Sequence, residues 1–403
     1  MEKTERLYYN DSHITEFHAT VIDFTGRVSG WSAVKLDKTA FYPTGGGQPS
    51  DTGTLGSARV VECIDEEENG VTHVVQGLVS FETGQTVKGV IDWERRFDHL
   101  QQHTGQHILS QAFVKQFGAE TRGFRMMENV CEIDVALDDA TDSKIKRVVE
   151  LANKIIWENR IIKIRNVDDE TAASLPLRKE SARKGELRLI EIEGFDLTPC
   201  GGTHAKQTGE VGIIVLRSWS RAKGMARIEF AAGKRALKDY VKANESAREI
   251  ASIFSVGRDD TISSVQKLQD ENKQLQRRIR TLEELTAKVE AEELKEQAEQ
   301  NQNGISVITK VFHECTAESL KRIAQVLIEQ PRTIAFLASH DRDTVRLLFA
   351  RSSDAVGDMN LLMKDVCEIL EGKGGGKPDL AQGGGKRVEK LDEVLKNLVE
   401  RFS

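Results

Sequence analysis

His103-Thr104-Gly105-Gln106-His107 stands inside an apolar, helix-like run that extends from Asp92 to about Phe117. Residues four apart on a helix share a face, so the two imidazoles point the same way. Later in the chain, Cys200-Gly201-Gly202-Thr203-His204 sets a thiol and an imidazole at the same spacing in a glycine-rich turn. Glycine lets such a turn wrap a ligand closely. The two half-sites together supply the four nitrogen and sulfur donors that a tetrahedral zinc takes. From the residues alone, each pair is also compatible with a packed or solvated polar face, and both readings stand. His99 precedes His103 by four and extends the candidate face to three histidines.

A chain of 403 residues holds two or three domains, each large enough for its own core. At 39% hydrophobic and 30% charged, the composition is that of an ordinary soluble protein. The start, Met1-Glu2-Lys3-Thr4-Glu5-Arg6, is charged where a signal peptide needs an apolar stretch. No apolar run approaches membrane-spanning length, so a cytoplasmic protein without a membrane partner is expected. The five cysteines (Cys63, Cys131, Cys200, Cys315, Cys367) are scattered and never spaced Cys-x-x-Cys, which argues against a disulfide framework. Only Cys200 lies in a reactive-looking setting.

A net charge of −7 excludes a protein that coats nucleic acid indiscriminately, although phosphate binding answers to the local field. Two basic tracks exist. One runs through Arg217, Arg221, Lys223, Arg227, Lys234 and Arg235; the other holds Lys373, Lys377, Lys386, Arg387 and Lys390. Either is equally readable as solvated surface.

The hydrophobic pattern predicts an α+β multidomain protein. Residues 1–90 form a small β-barrel-like domain, with strands at 17–24, 31–36, 58–64, 71–75 and 87–91. Between them lies the special loop Phe41-Tyr42-Pro43-Thr44-Gly45-Gly46-Gly47-Gln48-Pro49-Ser50-Asp51-Thr52-Gly53. Residues 91–240 mix helices (92–117, 143–159, 169–175) with strands (130–137, 161–167, 211–217, 226–232). A helical, coiled-coil-like linker covers 241–302. There Val265, Leu268, Asn272, Leu275, Ile279, Leu282 and Val289 keep heptad spacing, although a core-packed helix fits nearly as well. A C-terminal α/β domain fills 303–403. Its glycine-rich segment 372–385 is read as a loop, either a flexible hinge or a backbone cradle for phosphate or ribose. It is not a P-loop: Glu371 and Pro378 stand where glycine and Ser or Thr belong.

These motifs together resemble the editing domain of alanyl-tRNA synthetase and its free-standing relatives, the AlaX proteins. The tail segment is similar to the DHH-associated domain at the C-terminus of that synthetase. Because the editing-type sequence begins almost at Met1, a chain lacking an aminoacylation domain is expected, as in the long form of AlaX. The resemblance implies zinc held by His103, His107, Cys200 and His204. It also implies hydrolysis, in trans, of the ester on alanine tRNA wrongly charged with serine or glycine. Editing restores discrimination that a synthetase pocket lacks against an amino acid that only adds a hydroxyl. Thr44 and Gln48 are the candidate catalytic-site residues, Thr44 for the serine hydroxyl. Gly45, Gly46, Gly47 and Thr121 are candidate substrate contacts in the editing domain, and Gly374, Gly375, Gly376 and Lys377 in the tail. The tail is expected to touch a remote part of the tRNA, and the protein to act as a monomer or as a homodimer through linker or tail. Two alternatives remain. One is a non-enzymatic, zinc-stabilised tRNA-binding protein. The other is a DHH-type phosphoesterase, for which Asp98-His99-Leu100 is the nearest approach to the required Asp-His-His.

Overall fold

The structure, a computed structural model, describes residues 4–26, 30–77, 79–179 and 185–402. They form two compact units, Met1–Ile250 and Ala251–Ser403.

The first unit opens with β1 (Glu5–Arg6), β2 (Glu16–Gly26), β3 (Trp31–Leu36), β4 (Lys38–Thr39), β5 (Gly53–Leu55), β6 (Ala58–Asp65), β7 (Val71–Gln76) and β8 (Thr86–Ile91). Six of them close into a barrel in the order β2-β3-β7-β6-β5-β8. Successive residues of a strand face opposite sides, so Phe17, Ala19 and Val21 turn inward between outward Glu16 and His18. They meet Val34, Leu36, Leu55 and Val75 in the barrel core. Five barrel strands follow the sequence pattern. The sixth, β5, is three residues long, too short to show alternation.

Asp92 caps α1 (Trp93–Phe117) by accepting a hydrogen bond from the Arg95 amide. This helix is buried on all sides from His99 to Phe113, although much of it is polar. Buried polar groups need partners. Gln101 Nε2 donates to the Glu210 carbonyl at 2.9 Å and Gln111 Nε2 to that of Phe195 at 2.8 Å. Gln102 binds both the amide and the carbonyl of Ala232. At its start, Arg96 is wholly buried and pairs with the wholly buried Asp51, while also donating to the carbonyls of Ser12 and Ala40. One guanidinium thus joins the barrel, the 41–53 loop and α1.

Around α1 lie β9 (Thr121–Met126), β10 (Cys131–Val135), α2 (Asp142–Trp157), β11 (Ile162–Val167), α3 (Asp169–Ser174), β12 (Leu187–Ile192), β13 (Asp196–Pro199), β14 (Ile214–Ala222), β15 (Met225–Ala232) and α4 (Gly233–Phe254). One antiparallel sheet has the order β14-β15-β10-β9 and a second β11-β12-β13. The strand expected from Val211 starts only at Ile214. A short 3-10 turn over Thr208–Val211 precedes it, ending at Gly212 with a φ of 78°.

The second unit contains α5 (Thr261–Glu296), β16 (Ser306–His313), α6 (Ala317–Leu327), β17 (Thr333–His340), β18 (Val345–Arg351), α7 (Met359–Ile369), β19 (Lys373–Gly376), β20 (Leu380–Gly385) and α8 (Leu391–Glu400). The sheet order is β16-β17-β18-β20-β19, with β16 and β17 parallel. Strand β17 is apolar from Ile334 to Ala338 because both its faces are covered. Ile334, Phe336 and Ala338 enter the core with α7 and α8, whereas Ala335 and Leu337 enter the one with α5 and α6. The long α5 buries Ala287 and Ala291. Its heptad residues Leu268, Leu275, Ile279, Leu282 and Val289 are exposed.

The glycine-rich tail segment is not a loop. It is the β19–β20 hairpin at the sheet edge, with Gly374 paired to Gly383. A Cβ on either would stand 2.7 Å or 2.5 Å from Cys367 Sγ on α7, so glycine is what lets that helix approach. The Gly376 amide donates to Asn360 Oδ1 at 2.9 Å, and the Lys377 amide to the Leu380 carbonyl at 2.8 Å. No helix among the described residues is long and apolar enough to cross a membrane.

Candidate metal centre

Helix α1 presents His103 and His107 on one face, and the chain leaving β13 presents Cys200 and His204. Their donor atoms all lie within 4.8 Å of one another. Cys200 Sγ is 3.5 Å from His103 Nε2 and 3.3 Å from His204 Nε2. Zinc–nitrogen bonds of about 2.0–2.1 Å and a zinc–sulfur bond of about 2.3 Å give a tetrahedral N···S edge of about 3.6 Å. The donor set therefore fits such an ion. His99 is not part of it. The approach of the two segments depends on Gly202, where a Cβ would overlap the His103 ring.

The remaining ring nitrogens are held from behind, as metal-bound imidazoles require. His103 Nδ1 lies 2.7 Å from Gln48 Oε1, whose own Nε2 donates to Thr203 Oγ1 at 2.8 Å. His204 Nδ1 lies 3.4 Å from Thr104 Oγ1. His107 Nδ1 faces both Arg178 Nη2 at 3.4 Å and Asp196 Oδ2 at 3.6 Å. These contacts demand opposite tautomers. Arg178 already donates to Asp196 Oδ1 at 2.8 Å, while Asp196 Oδ2 is buried with no hydrogen-bond partner among the described residues. Donation from Nδ1–H to Asp196 satisfies that oxygen and leaves Nε2 for a metal.

Electrostatics agree. Burial pushes the Cys200 thiol up, but the imidazoles of His103, His204 and His107 outweigh it and hold the group well below an ordinary thiol. Burial brings His204 down to about 3, so its donor nitrogen is free of a proton. Burial likewise opposes a proton on His107, yet Cys200 and Asp196 carry it above the usual value. A thiolate and a carboxylate converging on buried imidazoles favour a cation between them.

A cleft of about 660 Å³ opens beside His103 and Cys200, lined also by Tyr9, Tyr42, Gly45, Gly46 and Arg188. Arg188 fastens the metal loop, donating to the carbonyls of Cys200 at 2.6 Å, Gly202 at 3.1 Å and Tyr9 at 3.0 Å. Of the sequence candidates, Gly45 and Gly46 line this cleft. Gly47 contributes its carbonyl to the Met126 amide. Gln48 is 1% exposed with both ends of its amide engaged. Thr44 is exposed, and its Oγ1 accepts from the Ser50 amide at 3.1 Å. Thr121 lines a different cleft, of about 610 Å³, and donates to Ser110 Oγ at 2.7 Å. Gly374, Gly375, Gly376 and Lys377 belong to the second unit. Sequence reasoning missed Asp196, Arg178, Arg188 and Thr104, none of which carries a motif signal.

Three family profiles match the chain: "tRNA synthetases class II (A)" over residues 2–95, "Threonyl and Alanyl tRNA synthetase second additional domain" over 187–229, and "DHHA1 domain" over 304–403. The chain is similar to the alanyl-tRNA editing protein AlaX-L of Pyrococcus horikoshii, 32% identical over 99% of this chain and 98% of that one. The chain belongs to the AlaX family, in its long form. It is also similar to the alanine–tRNA ligases of Methanoregula boonei (34% identical, 97% of this chain and 43% of that one) and Pyrococcus abyssi (31%, 99% and 44%). It thus spans less than half the length of those ligases. Within this AlaX chain, the Cys200 and His204 half-site falls inside the second of the three matched regions, and the glycine loop with Gln48 inside the first.

Proposed function

We propose that the protein is a cytoplasmic, zinc-dependent trans-editing deacylase. In this reading it hydrolyses the ester joining serine or glycine to alanine tRNA, and spares the tRNA carrying alanine. Water adds to the ester carbonyl, the bond to the ribose oxygen breaks, and that oxygen leaves with a proton; the products are the free amino acid and tRNA. The observation that carries the reading is the convergence of His103, His107, Cys200 and His204 beside an open cleft. Kinship to a protein named for alanyl-tRNA editing supports the choice of substrate.

His103, His107, Cys200 and His204 would hold zinc, which when bound supplies Lewis-acid polarisation to an ester. The chain's own groups do the rest. Gln48 keeps His103 in one tautomer and one orientation, which makes it a positioning residue. Arg188 holds the Cys200–Gly202 loop so that His103 and Cys200 face the cleft. Gly46, exposed in a turn that Gly45 closes through its amide and carbonyl bonds to Gln48, offers the acceptor end close backbone contact. Thr44 keeps its hydroxyl proton free to meet the serine hydroxyl. Alanine would leave such a contact unmade, at a cost of about 1–3 kcal/mol. The domains read from sequence, 1–90, 91–240, 241–302 and 303–403, divide the labour: the first two work on the ester and the last, through Gly374 to Lys377, grips a remote part of the tRNA. The exposed heptad face of α5 suits a homodimer.

Deacylation of alanine tRNA charged with serine, glycine or alanine, with and without a chelator, tests the reading. Chelator-sensitive loss of serine with alanine retained is expected, and Cys200→Ala should abolish it together with bound zinc. Stoichiometric zinc without hydrolysis would instead indicate a non-enzymatic tRNA-binding protein.

A further inference from the structure

A second cleft, of about 790 Å³, shares no residue with the one beside Cys200. Its walls are the start of α1, the start of α4 and the turn between β9 and β10. It adjoins the metal centre at two points: Pro49 follows Gln48 in the chain, and His99 stands one turn before His103 on α1.

The lysines lining this cleft all stand on α4. Helix α4 supplies Lys234, Arg235, Lys238 and Lys242 against one acid, Asp239. The acids are largely engaged. Asp98 pairs with Arg235 at 2.7 Å, Asp239 with Arg217 at 2.9 Å and Glu94 with Lys234 at 3.4 Å, while Asp92 caps α1. Arg235 also donates to the Met127 carbonyl at 2.6 Å, fixing the opposite wall. Lys238 and Lys242 are exposed and have no ion-pair partner among the described residues.

Lys234, Lys238 and Lys242 recur every fourth residue. With a rise of 1.5 Å per residue they stand about 6 Å apart along one side of the helix and span about 12 Å. A lone small anion would engage one of them. A ladder of this length suits successive charges on a chain.

We infer that this cleft seats the phosphodiester backbone of the RNA strand that carries the ester, with Lys238 and Lys242 on adjacent phosphates. The inference rests on the proposed trans-editing function and names where the acceptor end lies on the first unit. Lysine contacts to phosphate supply position and salt-dependent affinity without reading bases. The cleft's position beside Gln48 and His99 would bring the strand's end to the metal centre.

The test uses the full chain with Lys238→Glu and Lys242→Glu together. A control carries Lys146→Glu and Lys154→Glu, exposed on α2. Dissociation constants are measured for uncharged alanine tRNA and for a minihelix of its acceptor stem and single-stranded 3′ end, over a range of KCl. The cleft variant should bind both RNAs about tenfold more weakly at low salt. Its salt-dependence slope should fall by about 2, one for each phosphate left without its lysine. Zinc content and melting temperature should be unchanged, and the control should lose far less affinity. Wild-type affinity and slope for the minihelix would overturn the inference. So would equal losses in the control, or a loss seen with whole tRNA alone. Because the RNAs are uncharged, an inactive wild type that still needs Lys238 and Lys242 would sink the deacylase reading and leave the RNA seat standing.

Discussion

Gln48 Oε1 lies 2.7 Å from His103 Nδ1, across 55 residues of chain, and this contact ties the glycine loop to a metal-site imidazole. The same amide reaches Thr203, between the two ligands of the other half-site. Gln48 therefore ties both halves of the centre together. Gln48→Leu keeps the bulk but leaves His103 free to turn and Thr203 without its donor. Loss of such a partner typically weakens metal binding about 10–100-fold. Titration against a zinc chelator measures it, and an unchanged zinc affinity would remove Gln48 from the positioning role.

Asp196 offers a second test of the same logic from the opposite side. Its carboxylate stays charged, held below the usual range by His107 and Arg178 despite burial. Asp196→Asn keeps the shape and removes the anion, so His107 loses the acceptor that fixes its tautomer. Zinc affinity should fall by about one to two powers of ten. The further loss toward acidic pH should be smaller than in the wild type, because Asp196 is one of the groups that carry the His107 proton above its usual value. Wild-type affinity in Asp196→Asn would mean that Arg178, not Asp196, sets the ring.

The two half-sites are legible in the sequence because spacing on a helix or in a tight turn is a local property. That they meet is not local; it follows from the resemblance and from the chemistry of a four-donor ion. Asp196 and Arg178 are invisible for the converse reason. The β12–β13 hairpin, with Ile192 opposite Asp196, aims that carboxylate at α1, and no pattern in the sequence encodes the direction. Most barrel strands can be read from two-residue alternation; β5 is too short to show it, and β7 is buried from Val71 to Val75. The tail hairpin reads as a loop because glycine is depleted in strands. What makes it a strand is tertiary: the room that Gly374 and Gly383 leave for Cys367 on α7. Burial of α1 on every side likewise hides its role, since its polar residues find partners only in the folded chain.

The Asp51–Arg96 pair locates the glycine loop on α1, and both side chains are fully buried. Asp51 also accepts from the Tyr42 amide at 2.6 Å, closing the loop at its base. Asp51→Ala leaves a guanidinium uncompensated in the interior, which costs about 3–5 kcal/mol. Urea unfolding of the first unit's transition should report a loss of that size. Part of the metal affinity should go with it, because Gln48 rides on the same loop. A loss below about 1 kcal/mol, as for an exposed pair, would contradict the assigned burial.

The barrel should add its own share to the acid sensitivity of the metal-free protein, beside that of the buried His204. His73 is buried in the barrel between Thr39 Oγ1 at 2.7 Å and the Val34 carbonyl at 3.1 Å. Burial pulls it from 6.5 down to about 4. The unfolded chain takes up this proton as pH falls through about 6.5, whereas the folded chain refuses it until about 4. The neutral imidazole's contribution is thus complete above pH 6.5 and drains away as pH falls from 6.5 to 4. One such proton changes stability by up to about 1.4 kcal/mol per pH unit. His73→Gln keeps a hydrogen-bonding side chain without a titrating ring. Denaturant titrations across that range, run on metal-free protein so that ligand protonation does not intrude, should give a shallower decline in the variant. An identical slope would move the effect to His99 or His204, each brought by burial to about 3.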